Sequence, residues 1–260
     1  MDTPHSAKAT RGEEEPLAYI IGDQPFLGLT IYLDSRPLIP RPETEWWTEQ
    51  LLNEIDKKGE LVESKMGVRL GRAARSAPIF GSNSEPKLKF LDLCSGSGAI
   101  GCAALAHFPS AQVYFGEIDS AHEATILKNI RENNLDESRA HIYIGDLFAP
   151  FPTDLAFDVI AVNPPYIPSG RILPESVANY EPALALRAGT DGLDVIRRIA
   201  TSVRCHLAEQ GVLWCECDSA HADAACALFK AQGFSADIRL DQYGVPRIIV
   251  CRHTSARSAQ

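Results

Sequence analysis

From residue 88 onwards, short apolar runs alternate with longer segments in which apolar residues recur every three or four positions. The short runs have the length of buried strands, and the longer segments have the periodicity of amphipathic helices. This alternation predicts an α/β fold with a mostly parallel sheet and helices on both faces. The predicted strands are 88–93, 112–117, 140–144, 157–162, 211–217, 235–240 and 247–251, and the predicted helices are 98–107, 120–134, 192–208 and 219–232.

The chain before residue 88 has a different pattern. Residues 1–16 are polar and are predicted to form a disordered tail. Two apolar runs, 17–21 and 26–33, flank the turn residues Gly22-Asp23-Gln24-Pro25. Apolar runs on either side of such a turn predict a β-hairpin.

Three prolines between residues 36 and 44 predict a rigid, extended segment. The apolar periodicity then predicts a helix from Glu43 or Thr44 to about Ile55. Residues 57–87 are rich in Lys, Arg, Gly and Ser and predict a flexible insertion. The predicted units are a tail (1–16), a hairpin and helix (17–56), the insertion (57–87), the α/β domain (88–253) and a second tail (254–260).

Composition narrows the class of protein. Apolar residues make up 45% of the chain and charged residues 23%, as in ordinary globular domains. The net charge of −9 argues against nucleic acid as the main partner, because nucleic-acid binding rests largely on Lys and Arg. The seven cysteines contain no Cys-x-x-Cys pair, and the histidines lack metal-ligand spacing. We therefore expect free thiols and no metal site.

A glycine-rich segment connects the first predicted strand of the α/β domain to the first helix. Gly96, Gly98 and Gly101 follow the pattern Gly-x-Gly-x-x-Gly, which lets the backbone turn tightly and approach a ligand. Glu117 ends the next strand, where a carboxylate can bind two ribose hydroxyls. The pattern fits either a dinucleotide or a nucleoside such as S-adenosylmethionine.

Two further carboxylates favour the nucleoside. Asp92 lies where the strand meets the glycine loop and could contact a cationic amino group, and Asp146 follows the third strand, where an adenine edge would lie. A pyrophosphate would be a poor neighbour for this many carboxylates. For Asp146 alone, a turn or helix N-cap is the alternative. The predicted cofactor contacts are Asp92, Ser95, Gly96, Gly98, Glu117, Ile118, Asp146, Leu147 and Asn163.

The fourth strand, 157–162, ends at Asn163-Pro164-Pro165-Tyr166. The side-chain oxygen of Asn163 and the carbonyl of Pro164 form a pair of acceptors, because the proline rings remove backbone donors. Such a pair can hold both hydrogens of an NH₂ group, and Tyr166 offers a flat face. Amide and exocyclic amine nitrogens are poor nucleophiles, so positioning can supply much of the rate. The segment predicts methyl transfer to a planar nitrogen, with a rigid structural loop as the alternative.

These motifs resemble those of a known family. Asp92-Leu-Cys-Ser-Gly-Ser-Gly98 with Asn163-Pro164-Pro165-Tyr166 is similar to class I S-adenosylmethionine-dependent methyltransferases that act on a planar nitrogen. Three more motifs resemble those of the HemK/PrmC family, the release-factor glutamine N5-methyltransferases. They are Pro16-Leu-Ala-Tyr-Ile-Ile-Gly22, Leu38-Ile-Pro-Arg-Pro-Glu-Thr44 and Tyr180-Glu-Pro182. The resemblance of the chain to this family extends over about 16–252 and is interrupted at roughly 57–87.

The resemblance implies a Rossmann-like sheet of seven strands whose last strand is antiparallel. It also implies S-adenosylmethionine as the cofactor and, as substrate, the glutamine of the Gly-Gly-Gln motif in a class 1 peptide-chain release factor. Asn163 and Pro164 would hold the glutamine amide, and Tyr166 would pack against it. The implied walls of the substrate site are Arg41, Pro42, Glu43, Thr44, Pro165 and Tyr166.

This sequence departs from the family pattern in several places. Only about sixteen residues precede the first motif, so we expect the helical N-terminal domain that helps family members dock the release factor to be largely missing from this sequence, either because the chain is truncated or because docking relies on other surfaces. Cys94 stands where glycine is common, and Glu117 stands where aspartate is common. The insertion at 57–87 suggests a eukaryotic, mitochondrial-type member, with the cytoplasm as the alternative. We expect a monomer with no direct nucleic-acid contact and no membrane association.

Three other functions remain open at this point. An adenine-N6 methyltransferase also uses a polar residue followed by Pro-Pro-aromatic, but it needs a basic groove that admits a flipped base. An inactive module that binds the cofactor without turnover is a second alternative. A nicotinamide dehydrogenase is the third, and it leaves Asn163-Pro164-Pro165-Tyr166 unexplained.

Overall fold

A computed structural model describes residues 15–66 and 88–254 of the chain. Its N-terminal segment begins with a helix, where the sequence predicted a strand. Helix α1 (Leu17–Ile21) ends at Gly22, whose φ is 99° and whose amide donates to the carbonyl of Ala18 at 2.8 Å. Strands β1 (Asp23–Phe26) and β2 (Leu29–Tyr32) form a hairpin whose turn is Leu27-Gly28. The predicted turn at 22–25 is wrong, because residues 23–25 pair with β2. The prediction for 17–21 is wrong because a left-handed glycine closes a helical turn there.

Helix α2 (Pro42–Met66) starts where the sequence predicted, within two residues, but it runs well past Ile55. The prediction of a flexible loop is therefore wrong for residues 57–66, which are rich in Lys and Glu, both good helix formers. The rest of the predicted insertion, 67–87, lies outside the described residues, as do residues 1–14 and 255–260.

The α/β domain contains seven strands: β3 (Lys89–Leu93), β4 (Gln112–Glu117), β5 (Ala140–Ile144), β6 (Phe157–Val162), β7 (Leu207–Glu216), β8 (Phe234–Leu240) and β9 (Pro246–His253). They form one sheet in the order β5-β4-β3-β6-β7-β9-β8, and all neighbours are parallel except those of β9. This confirms the expected fold class and its antiparallel last strand. The helices are α3 (Ala99–His107), α4 (Glu123–Glu132), α5 (Glu175–Ala178), α6 (Ala183–Leu186), α7 (Asp194–Ser202) and α8 (Ala222–Ala231).

Several predicted boundaries change. The predicted helix 192–208 ends with α7 and one 3₁₀ turn, Val203–Cys205, after which β7 begins four residues earlier than predicted. Single 3₁₀ turns also precede α4 and α8. In both cases an aspartate side chain, Asp119 or Asp218, caps the turn by accepting a backbone N–H.

The sheet has a core on each face. Side chains alternate along β3, so Phe90 packs with the core formed by the hairpin, α2, α3 and α4, whereas Leu91 packs with the core under α7 and α8. Helix α2 lies over β7, where the indoles of Trp47 and Trp214 stack with ring centroids 6.4 Å apart. This packing brings the first turn of α2 to the carboxyl end of β7.

The hairpin is fixed to α4 by an amide side chain. Asn129 accepts from the backbone N–H of Tyr32 at 2.7 Å and donates to the carbonyl of Tyr32 at 3.1 Å. It also donates to the carbonyl of Ser97, in the glycine loop, at 2.8 Å. One buried side chain thus joins the N-terminal segment to the loop after β3. Over the described ranges, no helix is both long and apolar enough to cross a membrane.

Candidate active site

A cleft opens at the carboxyl ends of the central parallel strands, where open α/β sheets usually bind ligands. Its volume is about 900 Å³, including the solvent-open mouth. Its polar lining comes from strand ends and the loops after them, whereas α6 and α7 supply one wall. The predicted site residues that line it are Gly96, Glu117, Ile118, Asp146, Leu147, Asn163 and Pro165.

The glycine loop has a conformation that side chains would strain. Gly96 and Gly98 have φ values of 53° and 78°, in the left-handed region that favours glycine. Gly101 is required for a different reason, because a Cβ there would lie 2.2 Å from Cε1 of Phe115. The helix therefore packs directly on β4, and the loop backbone is exposed to the cleft at Gly96.

Glu117 connects the loop to the end of β4. Its side chain is nearly buried; one carboxylate oxygen accepts from the N–H of Gly96 at 2.7 Å and the other accepts from the N–H of Asp119 at 2.9 Å. Each carboxylate oxygen can accept further bonds from a ligand in the cleft. A pair of adjacent ribose hydroxyls suits this acceptor set, so the residues present fit a nucleoside cofactor.

The opposite end of the cleft carries a second acid and an apolar surface. Asp146 pairs with Arg198 of α7, with 2.5 Å between Oδ2 and Nη2, and both side chains are about half exposed. Ile118 and Leu147 line this end of the cleft, and 47% of the surface of Ile118 is accessible to solvent. An aromatic base can pack on these apolar side chains while Asp146 accepts from its amino group. Sequence reasoning missed Arg198, which no motif signals.

Asp92 lies behind the loop and does not line the cleft. Its Oδ2 accepts from the N–H of Gly101 at 2.9 Å, and its Oδ1 has no hydrogen-bond partner among the described residues. Burial raises the pKa of Asp92 well above its usual value; the Gly101 amide opposes this rise and the charge of Glu117 adds to it. Ser95 also supports the loop from behind, because its hydroxyl donates to the carbonyl of Asp92 at 2.7 Å.

The Asn163-Pro164-Pro165-Tyr166 segment follows β6 directly and reaches the first turn of α2. The Nδ2 of Asn163 lies 3.1 Å from Oγ1 of Thr44 and donates to it. Pro164 is buried, whereas the Asn163 side chain is half-buried and lines the cleft. The structure therefore brings Thr44, predicted from the distant Leu38–Thr44 motif, into contact with the predicted amide.

Glu216 is the main residue of this region that the sequence analysis missed. It ends β7, is 1% exposed, and accepts from the hydroxyl of Thr44 at 2.7 Å and from the hydroxyl of Tyr166 at 2.9 Å. Its position in the sequence could have indicated it. Glu216 lies near the end of the apolar run 212–217, as Asp92 and Glu117 lie near the ends of β3 and β4.

Arg41 joins two of the other motifs. Its Nη2 lies 2.5 Å from Oε1 of Glu181, whose side chain is buried and also accepts from the N–H of Ile39 at 3.3 Å. Pro182, the next residue, lines the cleft. Pro42 is exposed at the start of α2, and Glu43 is half-buried in its first turn. Two of the four predicted substrate-wall residues at 41–44 thus connect to the cleft. Thr44 contacts Asn163, and Arg41 pairs with Glu181, next to Pro182.

His122 is a second cleft residue that the sequence analysis did not single out. It is 5% exposed, and its Nδ1 lies 2.8 Å from Oγ of Ser35, at the exit of the hairpin. Within residues 15–66 and 88–254, no group of three or more His, Cys, Asp or Glu side chains could hold a metal ion.

The sheet order, the glycine loop after its first strand and the carboxylate ending its second strand define a class I methyltransferase. Residues 80–178 match the methyltransferase small domain family. A Thermus thermophilus 16S rRNA N2 G1207 methyltransferase, solved with S-adenosylmethionine and guanosine, shares this fold. Its TM-score is 0.53 at 16% identity, over 89% of this chain and 50% of that one.

Curated relatives narrow the family. A release factor glutamine methyltransferase of Thermodesulfovibrio yellowstonii is 32% identical over 95% of this chain and 79% of its own length. A ribosomal protein uL3 glutamine methyltransferase of Bradyrhizobium diazoefficiens is 35% identical over 83% of this chain, which spans only 60% of that protein. The chain belongs to the HemK/PrmC family, the release factor glutamine methyltransferases.

Proposed function

We propose that this chain transfers a methyl group from S-adenosylmethionine to the side-chain amide nitrogen of a protein glutamine, the glutamine of the Gly-Gly-Gln motif in a class 1 release factor. The observation that carries this proposal is the Asn163 amide. It lines the same cleft as Gly96 and Glu117, and Thr44 engages it on its nitrogen side.

The residues of the cleft fit S-adenosylmethionine, which would supply an electrophilic methyl group. Glu117 would hold its ribose and Asp146 its adenine edge. Asp92 would act indirectly, by holding the start of α3 in place through the Gly101 amide.

The amide substrate would be held by acceptors alone. The Oδ1 of Asn163 and the carbonyl of Pro164 would each accept one hydrogen of the glutamine NH₂ group, and Pro165 has no N–H to compete. Held in this way, the nitrogen would keep its lone pair directed at the methyl donor. Positioning of this kind can supply a large part of a rate enhancement. No base is needed before attack, because the proton can leave the nitrogen for water afterwards.

The uL3 relative makes a glutamine of ribosomal protein uL3 the second candidate substrate. The test is to incubate the full chain with labelled S-adenosylmethionine and, in separate reactions, a class 1 release factor, the same factor with its Gly-Gly-Gln glutamine changed to glutamate, uL3, and adenine-containing oligonucleotides. We expect label only on the unmodified release factor.

Each other outcome supports a different function. Label on uL3 alone would favour the second candidate, and label on oligonucleotides would favour an adenine-N6 methyltransferase. Calorimetry that detects cofactor binding, with no label on any substrate, would favour an inactive binding module. Failure to bind S-adenosylmethionine at all would revive the dehydrogenase.

We further propose that the chain is a mitochondrial-type member of the family and acts as a monomer without contacting nucleic acid or membrane. The atypical segment 57–87 and the net charge of −9 support this proposal. Imaging of the tagged full chain tests the location, and a cytoplasmic signal would contradict it. Sedimentation of the full chain tests the oligomeric state.

A further inference from the structure

Glu216 accepts hydrogen bonds from three side chains, two on α2 and one in the segment after β6. Its Oε2 accepts from Oγ1 of Thr44 and from Nε1 of Trp47, both at 2.7 Å, and its Oε1 accepts from the hydroxyl of Tyr166 at 2.9 Å. Burying a carboxylate costs hydration free energy, which these donated bonds offset. The carboxylate therefore joins α2 to the segment after β6.

The direction of these hydrogen bonds is fixed by chemistry. An ionised carboxylate only accepts, and the indole N–H of Trp47 only donates. The hydroxyl of Thr44 must therefore give its hydrogen to Glu216, which leaves its oxygen to accept from Asn163. Asn163 must then present its NH₂ group to Thr44 and direct its Oδ1 elsewhere.

We propose that Glu216 is a positioning residue for methyl transfer: through the Thr44 hydroxyl it fixes which end of the Asn163 amide is offered to the substrate, and through its other oxygen it fixes the Tyr166 phenol. The inference rests on the proposed function, because an acceptor at Asn163 is what a substrate NH₂ group requires. Glu216 itself touches no substrate atom; it acts through Thr44 and Tyr166.

The link through Thr44 can be cut with little change in shape. Thr44→Val removes the hydroxyl, so Asn163 loses the hydrogen bond that fixes its orientation, while Glu216 keeps its bonds to Trp47 and Tyr166. We expect the kcat for release-factor methylation to fall about 10- to 100-fold, a range typical of lost supporting hydrogen bonds at reactive sites, with the Kd for S-adenosylmethionine within about 3-fold. Thr44→Ser keeps the hydroxyl and should restore most of the rate.

Thr48→Val is the matched control. Thr48 is buried one turn further along α2, and its hydroxyl donates to the carbonyl of Thr44 rather than to Glu216. The two valine variants lose the same group from the same helix. We expect Thr48→Val to keep the wild-type kcat. Equal losses in the two variants would mean that a loosened helix lowers the rate, which would overturn the proposal.

Two substitutions of Glu216 itself sharpen the test. In Glu216→Gln, the amide oxygen must face Trp47, which can only donate, so the bond from Thr44 survives and the NH₂ group faces the Tyr166 oxygen. We expect this variant to stay within about 5-fold of the wild-type kcat, because the acceptor toward Thr44 is retained. Glu216→Leu removes every acceptor and should lose at least as much kcat as Thr44→Val. A Glu216→Leu enzyme that keeps its kcat would contradict the proposal.

A spectroscopic readout separates this inference from the proposed function. The side-chain ¹⁵N–¹H₂ signal of Asn163, identified by its loss in Asn163→Ala, should exchange slowly with water in the wild-type chain and in Thr48→Val. It should exchange faster in Thr44→Val and Glu216→Leu. This outcome needs no substrate, so it holds or fails even if no release factor is methylated. Equal exchange in all four proteins would overturn the inference alone, whereas an inactive wild-type enzyme with the expected exchange pattern would overturn the proposed function alone.

Discussion

The two halves of the cleft are assembled in different ways. On the cofactor side, Glu117 holds the Gly96 amide across only 21 residues, within one strand-loop-helix-strand unit. On the amide side, Thr44 and Glu216 are 172 residues apart, and Asn163 and Thr44 are 119 apart. A short sequence window contains the first arrangement, whereas the second exists only once α2 has packed on β7.

This difference makes a functional prediction: the two halves should fail separately. Changes on the amide side should affect the rate of methyl transfer, and changes on the cofactor side should affect cofactor affinity. A variant that lowers the methyl-transfer rate and the cofactor affinity equally would show that the two halves of the cleft depend on each other.

The largest expected effect is that of Asn163→Ala. Removing the acceptor that we propose aligns the substrate nitrogen should lower kcat by about 10²- to 10³-fold, as loss of a single positioned polar group does in other enzymes. The Kd for S-adenosylmethionine, measured by calorimetry, should change by less than about 3-fold, because the cofactor rests mainly on the other half. Loss of both properties together would mean that Asn163 mainly holds the loop in place.

Glu117→Ala is the complementary change on the cofactor side. Losing the carboxylate that accepts from the Gly96 amide, and that we propose holds the ribose hydroxyls, should weaken cofactor binding by about 10- to 100-fold, the cost of charged hydrogen bonds. The kcat at saturating cofactor should change much less. Glu117→Gln keeps one acceptor oxygen, so its Kd for S-adenosylmethionine should lie between those of the wild-type chain and Glu117→Ala. A normal Kd in Glu117→Ala would remove Glu117 from the cofactor site.

A third change affects stability rather than either ligand. In Gly101→Ala the new methyl group would overlap the Phe115 ring, so we expect the free energy of unfolding to fall by about 1–3 kcal/mol, as for other overpacked sites. Gly170→Ala is the matched control, because a Cβ there meets no atom within 4 Å. Urea denaturation compares the two variants, and equal midpoints would contradict the close packing of α3 on β4.

The smallest expected effect is on the pH profile. Burial raises the pKa of Glu216 above its usual value, although the bonds from Trp47, Thr44 and Tyr166 and the charge of Arg247 oppose the rise. Protonation would place a hydrogen on one oxygen, as the NH₂ group does in Glu216→Gln, so kcat should decline by no more than about 5-fold as the pH falls through this raised pKa, above the ~4.3 of an ordinary glutamate. The decline should be absent from the profile of Glu216→Gln. An unchanged acid limb in that variant would assign the limb to another group.

The same contrast decides how much the sequence could predict. The strand and helix periodicity predicted the sheet, and the glycine pattern with Glu117 predicted one end of the cleft, because those interactions are local. Resemblance placed Thr44 in the substrate site before any contact was known. The structure adds the reason, since Thr44 donates to Glu216 and accepts from Asn163.

The differences between the sequence predictions and the structure also have physical causes. Residues 17–21 have an apolar run that suits a strand, but the left-handed Gly22 ends a helical turn there. The cofactor contact of Asp92 stays a prediction; in the structure its Oδ2 accepts from the Gly101 amide, behind the loop. Glu216 was overlooked because its three donors come from positions 44, 47 and 166, and no spacing along the chain brings them together.

We propose above all that the Asn163 side-chain oxygen and the Pro164 carbonyl hold a protein glutamine next to the methyl donor. The most direct measurement is fragment-ion mass spectrometry of a class 1 release factor after incubation with the full chain and S-adenosylmethionine, with Asn163→Ala in parallel. We expect one added methyl group, on the side chain of the Gly-Gly-Gln glutamine, with the wild-type chain and almost none with the variant. A methyl group on another residue type, or equal methylation by Asn163→Ala, would contradict it.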